Sequence, residues 1–170
     1  MYNTIMVAFD GSASSKHALD EALKIAKTNG AQVAVVYVVD RSALFAYAGR
    51  FDPQALVDEL RRDGIDELRR DGIDALREAE HAIRQASVNG DTELVETDGL
   101  GEDVAARLQR YANEHDVDLA VVGTHGRRGI QRMLLGSVAE RFVRRACCPV
   151  LLIRGERAPA SSDAGSGADA

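Results

Sequence analysis

Apolar and polar residues follow two different rhythms along this chain. Segments of six or seven residues that are mostly apolar, or that alternate polar and apolar residues as residues 92–97 do, are typical of β-strands. The segments between them repeat apolar residues every three or four positions, as amphipathic helices do. Four helices alternating with five strands predict a single doubly wound parallel sheet of the α/β class. The predicted strands cover residues 4–9, 33–39, 92–97, 118–123 and 149–154.

Two of the predicted helices carry end signals. Ser12 or Ser14 is expected to cap the first helix, because a short hydroxyl side chain can accept a hydrogen bond from a free amide of the first turn. Asn29–Gly30 is expected to end that helix in the left-handed conformation. Residues 101–103 open a later helix, and we expect their acidic residues to lie in its first turn.

An eight-residue segment in the middle of the chain occurs twice without change. Residues 58–65 are repeated as residues 66–73, which predicts one long helix that follows a loop over 41–54 and continues through Ile83 to end near residues 89–90. Eight residues turn an α-helix by about 800°, so one copy is rotated by about 80° from the other. Leu60 and Ile65 of the first copy therefore cannot face the same core as Leu68 and Ile73 of the second.

Two interpretations of this duplicated segment stay open. The first is a charged helix, partly in solvent, that is held by ion pairs such as Asp58–Arg62 and Asp66–Arg70. The second is an arm that binds a partner.

A glycine-rich stretch follows the predicted strand at 118–123. It runs from Gly123 to Ser137 and leads into the last predicted helix. Glycines let the backbone approach a ligand closely, and a helix N-terminus favours an anion, so the stretch is a candidate phosphate loop. The alternative is that it only turns the chain. The hydroxyl of Ser137 can either cap the helix or meet an oxygen of a ligand.

The best-known phosphate loops do not match this stretch. A P-loop requires a lysine, and no lysine follows Lys27. The dinucleotide fingerprint G-x-G-x-x-G is also missing, because the spacing is Gly123-x-x-Gly126-x-x-Gly129.

Composition narrows the class of protein further. A net charge of -6 over 170 residues argues against a nucleic-acid binder. No signal peptide and no run of about 20 apolar residues is visible, so we expect a cytoplasmic protein with no membrane partner. Cys147 and Cys148 are predicted to be buried, reduced thiols, with a redox or metal role as the alternative. Residues 155–170 are predicted to form a disordered tail.

The pattern Gly123-x2-Gly126-x9-Gly136-Ser137 resembles the ATP-binding signature of the universal stress protein family. The resemblance covers about residues 3–154 apart from the tandem copy, and the predicted domain of this family is residues 1–154. It implies a Rossmann-like sheet of the adenine nucleotide α-hydrolase type with strand order 3-2-1-4-5. It also implies that ATP, accompanied by Mg²⁺, or another adenine nucleotide lies across strands one and four.

The resemblance assigns roles to individual residues. Ala8, Phe9 and Asp10 would border the nucleoside, with Asp10 bonding the ribose or base or lying near the metal. Val38 would offer backbone contacts to adenine. The predicted ribose and phosphate contacts are Val122, Gly123, Gly126, Arg127, Gly136, Ser137 and Val138.

Two departures from the family pattern bear on activity. Ala139 stands where some ATP-binding members carry a second hydroxyl, which weakens the case for hydrolysis. Phe9 is bulky and is expected to crowd the base pocket.

The last strand predicts an assembly. In a 3-2-1-4-5 sheet it lies at an edge, and it is too apolar to stay exposed, so antiparallel pairing with a second copy is expected. The predicted dimer interface is Val150, Leu151, Leu152 and Ile153.

These observations favour an ATP-binding stress or signalling switch with little or no turnover, at most a weak ATPase. The alternative is an ATP-independent dimeric adaptor whose protein partner is unknown.

Overall fold

A computed structural model describes residues 1–41, 54–98, 101–126 and 135–155, without the side chains of 54–61. Strands and helices alternate as predicted, in the order β1 Thr4–Ala8, α1 Ala13–Asn29, β2 Gln32–Val39, α2 Gln54–Ala86, β3 Gly90–Glu96, α3 Val104–Glu114, β4 Leu119–Gly123, α4 Ser137–Arg145 and β5 Val150–Ile153. The loop predicted before α2 and the disordered tail lie, apart from Arg41, Gln54 and Gly155, outside the described residues.

The five strands form one parallel sheet in the order β3-β2-β1-β4-β5. Fold class and strand order are therefore confirmed. β1 is paired with β2 on one side and with β4 on the other, so that Ala8 lies opposite both Val36 and Val122. The chain reverses its direction of travel across the sheet between β1 and β4. This is the place where open α/β sheets bind ligands beyond the carboxyl ends of their strands.

Alternation along β1 divides the core into two layers. Ile5 and Val7 point into a cluster with α1 and α2, whereas Met6 points into a cluster with α3 and α4. All three side chains are fully buried. A strand buried on both faces requires the continuous apolar run from which β1 was predicted.

The ends of α1 settle which serine caps it. Ser12 is the N-cap, and its Oγ accepts a hydrogen bond from Ser15 N at 3.2 Å. Ser14 is buried instead, and its Oγ donates to Ile153 O at 3.3 Å. Gly30 ends the helix with φ of 70°, in the predicted left-handed region. At α3 the N-cap is Asp103 and Glu102 precedes it, so the acidic residues expected in the first turn lie just before the helix.

The duplicated segment lies within one helix of 33 residues. α2 ends at Ala86, slightly before the predicted end. Leu68 packs against the core, whereas Ile73 of the same copy is 45% exposed. The side chain of Leu60, which the prediction also concerned, lies outside the described residues.

The predicted ion pairs of α2 are only partly right. Asp66 pairs with Arg69, three residues on, with Oδ1 and Nη1 3.3 Å apart, instead of with Arg70. Arg69 Nε also lies 2.6 Å from Glu96 Oε1, and this second partner across the helix–sheet boundary draws the guanidinium toward β3. The Asp58–Arg62 pair falls on a side chain outside the described residues.

Gly72 sets how closely α2 approaches the sheet. A β-carbon at this position would lie 2.8 Å from Leu94 Cδ1 and from Tyr37 Cδ1. Tyr37 belongs to β2 and Leu94 to β3, so only a glycine lets the helix backbone rest on both strands. Although α2 is long, it is heavily charged, and none of the helices in the described ranges could cross a membrane.

The cysteines differ from their prediction. Both are free, but Cys147 is exposed and only Cys148 is half-buried. Cys148 packs against the cluster beneath α3 and α4, and this burial raises the pKa of its thiol. Cys147 lies in the irregular turn between α4 and β5, where its side chain points into solvent.

Candidate functional site

A cleft of about 510 Å³ opens at the carboxyl ends of β1, β2 and β4. The N-termini of α3 and α4 close it from the side. Among the residues predicted to bind nucleotide, ten line this cleft: Ala8, Phe9, Asp10, Val38, Val122, Gly123, Gly126, Gly136, Ser137 and Val138. Arg127 lies outside the described residues. Residues predicted from four separate stretches of sequence are therefore brought to one place.

Three glycines of the candidate loop are closely packed, and Gly123 most tightly. A β-carbon on Gly123 would overlap Ser14 Oγ and would lie 2.9 Å from the carbonyl carbon of Ser14. A β-carbon on Gly126 would lie 2.9 Å from Asp10 Oδ2, and one on Gly136 would lie 3.1 Å from Thr124 O. None of these three glycines has a positive φ, so close packing, not an unusual backbone conformation, explains them.

The N-terminus of α4 opens into the cleft without a side-chain cap. Its N-cap residue is Gly136, whose amide donates to Thr124 O at 2.7 Å. Ser137 is the first helical residue and lines the cleft, so its hydroxyl is not the cap. First-turn amides and the helix dipole favour an anion at such an end.

The end of β1 is fastened to the start of α1. Asp10 Oδ1 accepts a hydrogen bond from Ser12 N at 3.0 Å, and Asp10 N donates to Ser15 Oγ at 3.4 Å. These contacts fix the carboxylate at the mouth of the cleft, with its other oxygen toward Gly126.

The candidate loop is anchored to the same corner. His125 N donates to Ser14 Oγ at 3.3 Å, and His125 O accepts from Ser12 Oγ at 3.4 Å. The Nδ1 of the imidazole lies 2.9 Å from Thr124 Oγ1. The histidine is thus engaged in packing the loop.

An apolar wall faces the polar mouth. Val36 and Val38 of β2 contribute to it, together with Ala105 and Leu108 of α3. The expectation that Phe9 crowds the base pocket is wrong. The Phe9 side chain is 3% exposed and packs into the α1–α2 cluster on the other face of the sheet.

Besides Asp10, the described part of the cleft is lined by three charged residues, Asp40, Asp103 and Arg141, and the last two were not predicted to lie there. Asp103 Oδ1 caps α3 by accepting from Ala106 N at 2.8 Å, and Asp103 Oδ2 lies 2.7 Å from Arg141 Nη1. Burial opposes ionisation, but the Ala106 hydrogen bond and the guanidinium of Arg141 hold the pKa of the Asp103 carboxyl below its usual range. The one available signal was spacing, since Arg141 follows Ser137 by four residues and so shares its helix face.

Known proteins are similar to this chain in sequence and in architecture. A curated relative, universal stress protein MJ0531 of Methanocaldococcus jannaschii, is 34% identical over 154 residues, which cover 91% of this chain and 83% of that protein. The crystal structure of a universal stress protein family member from Burkholderia pseudomallei is 37% identical, with a TM-score of 0.65 over 89% of this chain and 96% of that one.

A further solved relative carries a ligand. It is a universal stress protein in complex with cAMP, 25% identical, with a TM-score of 0.60 over 91% of this chain and 98% of that one. The model of the universal stress protein family matches residues 1–154. The chain belongs to the universal stress protein family.

Proposed function

We propose that the cleft binds ATP or another adenine nucleotide and that the protein acts as a nucleotide-dependent switch in stress response or signalling. The observation that carries this proposal is the uncapped N-terminus of α4, which opens into a cleft lined by the closely packed Gly123, Gly126 and Gly136. The relative solved with cAMP supports an adenine nucleotide as the ligand class. The cytoplasmic location stays a prediction.

Each part of an adenine nucleotide has a chemically suitable wall. The phosphates fit the amides of Gly126 and Val138 and the hydroxyl of Ser137, with the charge of Arg127 nearby in sequence. The amide of Gly136 is held by Thr124 O, so this residue lines the phosphate position without donating to it. Adenine fits the apolar wall at Val38, where the backbone of β2 ends. The ribose lies between them, within reach of Asp10.

Mg²⁺ fits as a companion of the phosphates. The described residues contain no group of three or more side chains that could hold a metal ion. Asp10 can supply one carboxylate at the mouth of the cleft, and phosphate oxygens and water would supply the other ligands. The ion would neutralise phosphate charge that the aspartates of the cleft otherwise repel.

The side chains around the mouth of the cleft support the proposal that bound ATP is hydrolysed slowly or not at all. Ala139 is buried and lines the cleft without offering a hydroxyl to a terminal phosphate. His125 shares its Nδ1 with Thr124, and Asp10 is held by Ser12. These contacts position a ligand more readily than they activate a water molecule.

A homodimer through β5 is proposed alongside nucleotide binding. β5 is an edge strand, hydrogen-bonded to β4 alone within the described sheet. Val150, Leu151 and Ile153 are only partly buried and Leu152 is 36% exposed. An apolar edge of this kind is stabilised by pairing with a second copy about a two-fold axis.

The test begins with the protein as it is purified. One sample of the chain, prepared without added nucleotide, is denatured, and the small molecules that it releases are identified by mass spectrometry. A second, native sample is titrated calorimetrically with ATP–Mg²⁺ and with GTP–Mg²⁺. We expect released ATP or ADP, or a saturable heat with ATP. Ser137→Ala should weaken this binding by about tenfold through loss of one charge-assisted hydrogen bond, while Gly136 remains the cap of α4.

An empty protein that gives no heat at millimolar ATP would overturn the proposal. The ATP-independent dimeric adaptor would then be the better account, and the β5 dimer would be its remaining support.

A further inference from the structure

The Asp103–Arg141 ion pair joins two helices at the wall of the nucleotide cleft. Asp103 caps α3, and Arg141 lies in the second turn of α4. Both residues line the cleft, and both side chains keep substantial contact with solvent, at 36% and 52% exposed. The ion pair is therefore accessible to a ligand, and breaking it costs little free energy because solvent-exposed ion pairs contribute little to stability.

Arg141 lines the cleft from the helix whose N-terminus faces the proposed phosphate position. Residues four apart on a helix share a face, and side chains lean toward the helix N-terminus, so Arg141 lies over the turn that begins with Ser137. Its guanidinium can reach the anion position in front of α4. A guanidinium also suits a phosphate, because its fork of N–H groups binds two oxygens at once.

The neighbouring residue Ala139 leaves a role for such a cation. The hydroxyl that some family members carry there is replaced by a buried methyl group. A terminal phosphate entering this region meets no hydroxyl from residue 139, and the next cleft-lining side chain along α4 is Arg141.

We propose that Arg141 binds the terminal phosphate of a nucleoside di- or triphosphate and exchanges Asp103 for that phosphate when the ligand enters. This assignment rests on the proposed nucleotide-binding function and deepens it. A phosphate carries more charge than the carboxylate and competes for the guanidinium. Asp103 stays favourably placed after the exchange, because its carboxylate still caps α3 through Ala106 N.

The consequence is selectivity for the length of the phosphate chain. Adenosine and AMP do not extend to Arg141, so the Asp103–Arg141 pair stays closed with these ligands. ADP and ATP open it. The pair also keeps the cleft near neutral at this wall until a polyphosphate enters.

The experiment compares adenosine, AMP and ATP–Mg²⁺ by calorimetric titration on the full chain. Arg141→Gln should lower the affinity for ATP by about tenfold, the effect of one charge-assisted contact, and should change adenosine and AMP by less than about twofold. Arg141→Lys should recover part of the loss. Arg144→Gln is the matched control, because Arg144 is an exposed residue of α4 that pairs with Glu140 outside the cleft.

Asp103→Asn tests the exchange itself. Asparagine keeps a side-chain oxygen for the α3 cap but loses the charge, so Arg141 is released and ATP should bind several-fold more tightly. An equal loss for all three ligands in Arg141→Gln, or no loss for ATP, would overturn the assignment alone. A wild-type protein that binds none of the three would overturn the proposed function together with it.

Discussion

Asp10 Oδ2 lies 2.9 Å from the position that a β-carbon on Gly126 would occupy. The two residues are far apart in sequence, one at the end of β1 and the other in the glycine-rich loop. Asp10 and the glycine-rich loop therefore approach closely at the mouth of the cleft, beside the two strands that the proposed nucleotide would bridge.

We expect Gly126→Ala to disturb this contact. The new methyl group would push the Asp10 carboxylate away from Ser12 N, and overpacking of this kind costs about 1–3 kcal/mol. Urea unfolding should show the loss of stability, and ATP titration should show weaker binding. In a background of Asp10→Ala the same substitution should cost less, because the clashing carboxylate is gone.

Gly101→Ala is the matched control for this change. A β-carbon on Gly101 meets no atom of the described residues within 4 Å, so stability and binding should stay within about 0.5 kcal/mol of wild type. Equal costs for Gly126→Ala in both Asp10 backgrounds would contradict the role given to this contact.

The tandem copies provide a second internal comparison. Gly72→Ala would drive a methyl group into Tyr37 and Leu94, and we expect a loss of about 1–3 kcal/mol in unfolding free energy. Gly64→Ala changes the equivalent residue of the first copy, which is half-exposed, and should stabilise α2 by up to about 1 kcal/mol. If both substitutions stabilise the protein, helix propensity governs both sites and the close approach at Gly72 is not rigid.

Gly72 also shows what the sequence can and cannot predict. Local patterns specify each element, and the end signals specified α1, so the fold class was accessible from the sequence pattern, whereas the strand order was implied by the family resemblance. Helix propensity treats Gly72 only as a cost, because its partners Tyr37 and Leu94 lie on other elements. The Asp103–Arg141 pair was missed for the same reason: two charges 38 residues apart meet only after folding.

The wrong expectation for Phe9 was avoidable. Phe9 follows β1 directly and lies an even number of positions after Ile5 and Val7, so alternation alone places its ring on the α1–α2 face, away from Ala8. The choice between Ser12 and Ser14 as the cap of α1 could not be made from the sequence, because both satisfy the capping preference. Only the contact of Ser14 with Ile153 separates them.

Asp118 predicts how stability depends on acid. Its Oδ2 accepts hydrogen bonds from Asn3 N at 2.7 Å and Thr4 N at 3.0 Å, and these bonds hold the pKa of the carboxyl below its ordinary value of 3.8. A pKa lowered by folding contributes stability above the unfolded pKa, and this contribution is lost as the pH falls through the folded pKa. Stability should therefore decline as the pH drops below 3.8.

The measurement is the free energy of unfolding as a function of pH for Asp118→Asn and wild type. The variant should be less stable near neutral pH and should show a shallower decline in acid. Asp20→Asn, at an exposed position of α1, serves as the control. If the free energy of unfolding declines in acid equally in Asp118→Asn and wild type, other carboxylates cause the decline and the role given to Asp118 is wrong.

Leu152 tests the proposed dimer most directly. Its side chain is 36% exposed on the edge strand β5, so Leu152→Asp places a charge in the antiparallel interface and should convert a dimer into a monomer. Ile73→Asp is the control, because Ile73 is similarly exposed at 45% but lies on α2, away from the sheet edge. Light scattering coupled to size-exclusion chromatography gives the mass in solution. Dimers that survive Leu152→Asp with an intact circular dichroism spectrum would rule out pairing through β5, and a monomeric wild-type protein would do the same.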